Sequence, residues 1–389
     1  MASPQEMTYA GNRAAVSTPV GGPWKQVISG ETGPGSLYAL YVPKVWNGDA
    51  VYIAHGFRDA PGTIDLRDQD SLYATRDSLG ARGYAVAYSS YSENGLAVKD
   101  GTQRTHQLRA LLGERLPAPA TRHFLLGYSL GGGIALNIAQ QHSSEYQGAL
   151  LVCGMVGGSR LQTQYLGHVR ALFDAFYPNK LPGNVLGVPQ GTVVTIPQVI
   201  AAVSSNPNAL AVIASTAQTP LPWVPRLDGT PEPATLIGSL WAALSFHARG
   251  INNITDLVNG KSAFENNAPY TPGTSLLPPA LLGPALAAAN HLVTRYSIAP
   301  SAANYLEHHF TPTGELGMPV LTLHNRWDPA VPEFHETALR NAVAAQGNSG
   351  SLLQRKVNAY GHCAINADQV QKSFYEVADW ARTGVKPAS

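Results

Sequence analysis

Charge is scarce in this chain. Asp, Glu, Lys and Arg make up 13% of its 389 residues, well below the roughly 25% of an average soluble protein. The formal net charge is +1, no basic block interleaves with aromatics, and no acidic tail is present, which argues against nucleic acid as a partner. Long apolar runs are also missing. The most apolar stretch, Leu276 to Ala289, is short and broken by Pro278, Pro279 and Pro284, so no membrane span is expected. Met1 to Gly11 has neither a basic leader nor an apolar segment and does not read as a signal peptide. The low charge and low lysine content still favour a secreted or periplasmic protein whose signal has been removed, with a cytoplasmic protein as the alternative. Cysteine is reduced to two residues, Cys153 and Cys363, compatible with one disulfide or two free thiols. There is no H-E-x-x-H and no cysteine cluster, and His308 and His309 are adjacent, so they cannot share one helix face. Walker A and strand-following G-x-G-x-x-G patterns are absent too. No metal and no cofactor is expected, and nothing sets an oligomeric state.

Apolar residues, at 44%, are sufficient for a sizeable core, and 38 glycines with 29 prolines imply many turns. The first part alternates strand and helix signals, the pattern of an α/β sheet with crossover connections. Strands are expected at Ser36–Val42, Ala50–Ala54, Tyr84–Tyr88, His123–Leu126 and Ala149–Cys153. Helices are expected at Gln69–Arg82, with Leu72, Leu79 and Ala81 near one face, at Thr102–Leu116, and at Leu130–Gln141. From Gly154 to Gly317 the pattern changes to apolar helical stretches punctuated by proline, such as Ile196–Val203, Leu236–Phe246 and Leu281–Leu292, with Pro220 to Pro233 as loop. Strand–helix alternation resumes at Pro319–Leu323 and Leu352–Val357, and a last helix is expected over Asp368–Ala381. The economical division is a core of residues 1–154 and 316–389 interrupted by a mainly helical insertion, 155–315.

The most informative stretch is His123-Phe124-Leu125-Leu126-Gly127-Tyr128-Ser129-Leu130-Gly131. It reads as a strand, then G-x-S-x-G, then a helix. A serine hydroxyl is a poor nucleophile unless it stands exposed beside a base. A sharp strand-to-helix turn lifts it above the sheet, small residues allow the turn, and the helix start supplies free N–H groups and the positive end of a dipole.

These residues resemble the α/β-hydrolase superfamily. The resemblance implies that fold: a mostly parallel sheet flanked by helices, here with a large helical cap inserted between the nucleophile half and the acid/base half. It also implies the order nucleophile, acid, base. Leu321-Thr322-Leu323-His324-Asn325-Arg326-Trp327-Asp328-Pro329-Ala330-Val331-Pro332 resembles the acid loop, which implies Asp328. Val357-Asn358-Ala359-Tyr360-Gly361-His362 puts a Gly-His pair past the last strand, which implies His362 as base. His324 is the rival histidine, but it precedes the acid. Ile53-Ala54-His55-Gly56-Phe57 resembles the oxyanion loop, which implies the N–H groups of Phe57 and Leu130 as donors and His55 as a structural hydrogen-bonder. The expected activity is a serine esterase cleaving a small or polymeric carboxylic ester. Acyl transfer or cyclisation, amide or peptide cleavage, and a non-catalytic binding module are the alternatives.

Gly361-His362-Cys363 further resembles the His-Cys pair of tannases and feruloyl esterases, while polyester-degrading hydrolases share the same triad. In that group a second cysteine precedes the nucleophile, where this chain has Tyr128. Cys153, ending the next strand, is the candidate partner of Cys363 in a bond that would anchor the loop of His362. In the insertion, Phe173, Phe176, Trp223, Trp241 and Phe246 either form its own core or line an apolar pocket.

Overall fold

The computed structural model describes residues 16–18, 21–67, 70–219, 233–271 and 279–388. Expectations for Met1–Gly11, for Trp223 and for the loop from Pro220 up to residue 232 lie outside them.

Among the described residues nine strands form one sheet: β1 (Val16–Thr18), β2 (Trp24–Glu31), β3 (Leu37–Pro43), β4 (Asp49–Ala54), β5 (Ala85–Ser89), β6 (Arg122–Tyr128), β7 (Gly148–Val152), β8 (Val320–Trp327) and β9 (Leu352–Tyr360). Their spatial order is β1-β2-β3-β5-β4-β6-β7-β8-β9. The first three strands run antiparallel and β3 pairs antiparallel with β5. All later pairings are parallel. The interior strands are short apolar runs because both faces are covered. In β4, Tyr52 and Ala54 pack into one apolar layer and Val51 and Ile53 into the other, the period of two that a pleated strand requires.

One layer is completed by α2 (Val98–Gly113), α3 (Leu130–Gln141) and α10 (Phe334–Ala345), the other by α1 (Asp70–Ala81) and α11 (Ala367–Thr383). The expected α1 stripe is corrected at one position. Leu72 and Leu79 are buried, but Ala81 is exposed. It lies two residues past Leu79 and therefore about 200° round the helix. The second helix also begins and ends earlier than its expected Thr102–Leu116 span. Leu116 precedes Pro117, which disfavours helical backbone at the residue before it.

Between β7 and β8 the described residues contain α4 (Ser159–Phe176), α5 (Ile196–Val203), α6 (Pro207–Thr216), α7 (Pro233–Leu257), α8 (Pro279–Leu292) and α9 (Pro300–His309). They bury a core of their own, including Val169, Phe173, Val199, Ile213, Leu240 and Leu244. Phe173 belongs to that core, Phe176 and Trp241 pack against it, and the Trp241 indole donates to the Val194 carbonyl. No single described helix is long and apolar enough to cross a membrane, although α5 and α6 pass that test jointly across a 111° bend.

The strand order positions the site. Chain progress reverses at β4, which lies between β5 and β6. The carboxyl ends of β4 and β6 therefore border the crevice where sheets of this kind place their ligands.

Candidate active site

Ser129 sits at the junction of β6 and α3 with φ 55° and ψ −119°. A non-glycine residue with positive φ is held there by its surroundings. A Cβ on Gly127 would lie 2.1 Å from the Gly131 carbonyl oxygen, and one on Gly131 would lie 2.1 Å from that of Ala54. Only glycine permits so close an approach of turn, helix and neighbouring strand.

Asp328 follows β8 and is fully buried. One carboxylate oxygen accepts the backbone N–H groups of Ala330 (2.9 Å) and Val331 (3.0 Å). The other lies 2.7 Å from His362 Nδ1. His362, in the turn after β9, places Nε2 2.7 Å from Ser129 Oγ. With the Nδ1 proton donated to the carboxylate, Nε2 is left as the acceptor for the serine hydroxyl. The structure thus joins Ser129, His362 and Asp328 in one hydrogen-bonded line, although they are far apart in sequence.

Leu130 opens α3, so its backbone N–H has no intrahelical acceptor. Gly56, on the loop after β4, comes so near that a Cβ there would meet the Ser129 Cβ at 3.2 Å. Phe57, next along that loop, lines two cavities that both reach Ser129 and His362. His55 is buried against Tyr91, ring centroids 3.9 Å apart, with Nδ1 2.7 Å from the Gly56 carbonyl and Nε2 3.1 Å from that of Ser90, so that in the neutral ring one nitrogen donates to one of them. It shapes the loop from beneath.

The rival histidine has other work. His324 is buried, donates Nε2–H to the Val331 carbonyl at 2.8 Å, and lies 3.4 Å from Glu336 through Nδ1. Burial alone would lower its pKa, but the Glu336 hydrogen bond and the charges of Glu336 and Asp328 outweigh it and leave the pKa raised. The Asp328 loop thus rests on a buried His324–Glu336 pair.

Cys153 and Cys363 are joined in a disulfide with their Cα atoms 5.2 Å apart. The bond ties the end of β7 to the residue after His362.

The larger cavity, about 220 Å³, is walled by Thr75, Tyr128, Cys363, Ile365 and Val370, with Phe246 and Arg249 from α7. The smaller, about 60 Å³, is lined by Leu96, Leu130, Met155, Leu166, Ile254 and Val331. Phe57, Ser129, Phe246 and His362 border both. Of the insertion aromatics named from the sequence, Phe246 reaches the site, with its ring 5.6 Å from that of His362. Arg249 has no motif to mark it. Its sequence signal is slight: a cation one helical turn after Phe246 in an apolar segment.

His106, His142 and Glu145 form a group with metal-ligating atoms close together. The two imidazoles are stacked 3.7 Å apart at 11°, and Glu145 is ion-paired with Arg109. Parallel rings cannot aim both lone pairs at one ion, and the group lies beyond the far end of α3 from Ser129.

A family model described as serine aminopeptidase, S33, matches residues 78–217, a stretch that includes Ser129 but neither Asp328 nor His362. Among proteins of curated function none matches. Among solved structures, feruloyl esterase B from Aspergillus oryzae is similar over 98% of this chain and 88% of its own, at 14% identity and TM-score 0.57. An esterase from Aspergillus oryzae covers 93% of this chain and 80% of its own at 12% identity and TM-score 0.48. Tannin acyl hydrolase from Aspergillus niger covers 97% and 83% at 13% identity and TM-score 0.44. The fold of this chain is the α/β-hydrolase fold.

Proposed function

We propose that this chain hydrolyses carboxylic esters through an acyl-enzyme on Ser129. The observation that carries the reading is the line from Ser129 Oγ through His362 to Asp328, with each hydrogen bond 2.7 Å long. In the first half-reaction Nε2 of His362 takes the hydroxyl proton as Oγ attacks the ester carbonyl. Asp328 stabilises the resulting imidazolium and holds its tautomer. The N–H groups of Leu130 and Phe57 receive the oxyanion, and each such donor supplies on the order of 3 kcal/mol of barrier lowering. His362 then protonates the departing alcohol. Water, deprotonated by the same nitrogen, releases the acid.

An aminopeptidase is the second reading, because of the family model that matches residues 78–217. Such an enzyme must hold a substrate ammonium group. Among the described residues that line the two cavities there is no Asp or Glu, and the larger one carries Arg249. That electrostatic sign favours the ester. The insertion acts as a lid in this reading, since α7 brings Phe246 and Arg249 over Ser129. Export to an oxidising compartment fits the disulfide, because such bonds persist there.

The test is a panel of p-nitrophenyl and feruloyl esters, a polyester film and aminoacyl anilides. Esters should be turned over and anilides spared, a fluorophosphonate should label Ser129, and Ser129→Ala should remove both activity and label. An active alanine variant, or turnover of anilides alone, overturns the proposal.

A further inference from the structure

Arg249 is placed in a way that the cleavage chemistry does not need. It lies on α7 at the wall of the larger cavity, and it is the single Arg or Lys among that cavity's described lining residues. Its guanidinium carbon stands 5.4 Å from the Phe57 ring centroid and 5.2 Å from that of Phe246. The Phe246 ring in turn lies 5.6 Å from the His362 ring. The cation is therefore displaced from the base by roughly one aromatic ring. Its present partner is Asp59, 2.5 Å away, with both side chains well exposed at 37% and 52%. An exposed pair of this kind is weak and exchanges for another anion. A planar guanidinium backed by aromatic faces is suited to a carboxylate, which it binds through two parallel hydrogen bonds.

The two cavities also differ in character and place. The smaller is walled by Leu130, Met155, Leu166, Ile254 and Val331 and offers little polar surface. The larger includes Cys363, Ile365, Ala367 and Val370, all just after the base. His362 borders both cavities, but only the larger continues along the segment that follows it, and the alcohol, which takes its proton from His362, is assigned to that side. An alcohol in the larger cavity has Arg249 one ring-length away.

We propose that Arg249 is a specificity residue that recognises a carboxylate on the alcohol or phenol half of the ester, while the smaller cavity takes a compact apolar acyl group. This rests on the esterase reading above. Substrates are thus esters of short acids with an alcohol that itself bears a negative charge, and Asp59 is the internal competitor for the same guanidinium.

The experiment compares kcat/KM for neutral phenyl acetate with that for 3- and 4-acetoxybenzoate, in wild type, Arg249→Gln, Arg249→Lys and Asp59→Asn. Wild type should prefer at least one acetoxybenzoate. Arg249→Gln should cut the charged-to-neutral ratio by about tenfold or more, mainly through KM, as expected for loss of a charge-assisted bond. Lysine should restore part of the ratio, and Asp59→Asn should raise it. A simple packing defect at Arg249 would lower both substrates together and give no opposite response at Asp59. An unchanged ratio in Arg249→Gln overturns the proposal. So does a charge preference confined to phenyl hemisuccinate, which carries its carboxylate on the acyl half. Absence of turnover on neutral phenyl acetate and all other esters would instead count against the esterase reading itself.

Discussion

Two histidines lie near Asp328, and they differ in what each touches. His362 bonds the carboxylate through Nδ1 and Ser129 through Nε2. His324 lines neither cavity and instead meets the Val331 carbonyl and Glu336. Substituting them should therefore give different phenotypes. His362→Ala should lower turnover about 10⁴-fold, as removal of a triad member does elsewhere, with little change in unfolding free energy. His324→Ala removes the hydrogen bond to the Val331 carbonyl and the imidazole beside Glu336, and should cost about 1–3 kcal/mol of stability. Its folded fraction should still react with a fluorophosphonate. Urea unfolding and active-site labelling separate the two, and the reverse pattern would make His324 the base.

The loop after β9 is fixed by ties to distant segments more than by its own residues. At one side the disulfide to Cys153 clamps it beside His362. Asn325, in β8, supports it from another side by donating to the Ala364 carbonyl at 3.0 Å. The disulfide closes a sequence separation of 210 residues, for which the chain-entropy model gives roughly 5 kcal/mol. A Cys153→Ser, Cys363→Ser double variant should lose up to that amount and also lose turnover, since a base displaced by about 1 Å costs rate. Thiol titration of the denatured, unreduced wild-type chain should find no free thiol. Two free thiols would remove this account of the loop.

α7 shows the same dependence on context. Leu240 and Leu244 pack into the insertion core, while Phe246 and Arg249 line the larger cavity and Asn253 accepts the Leu96 N–H at 2.8 Å. A continuous apolar pattern hides this division, because each face of a helix between two layers is buried against something different.

For the molecule as a whole, two buried and two half-buried histidines set the response to acid. Burial pushes His123 and His168 down to about 4, and His247 and His335 down to about 3. Their unfolded value is near 6.5. Each therefore contributes stability that is fully present above about pH 6.5 and is lost as pH falls toward the folded value, with a slope of up to about 1.4 kcal/mol per pH unit. His324 acts in the opposite sense. Its folded pKa is raised, so its contribution is present below the unfolded value and fades as pH rises through the folded one. With these four histidines against His324, the urea midpoint should fall steadily from about pH 6.5 to about pH 4.5. A flat profile over that range would mean that these side chains are solvated.

Some features of this chain are written in a few consecutive residues and are legible without any structure. The G-x-S-x-G turn, the Asp328-Pro329 loop and the Gly361-His362 pair each depend on backbone contacts within a turn or two, so residue type and spacing display them directly. The same holds for α3 and α5, whose observed spans coincide with the apolar runs that announce them. Strand β2, which lies between β1 and β3, is invisible by comparison. Its mixed burial gives no clean alternation, and its pairing with β3 is what makes it a strand. Long-range packing was needed to put β4 between β5 and β6, to bring Cys153 to Cys363, and to carry Phe246 and Arg249 beside His362. Those meetings join segments separated by tens to hundreds of residues. They are settled by which apolar faces pack together, and no local pattern encodes the partner of a face.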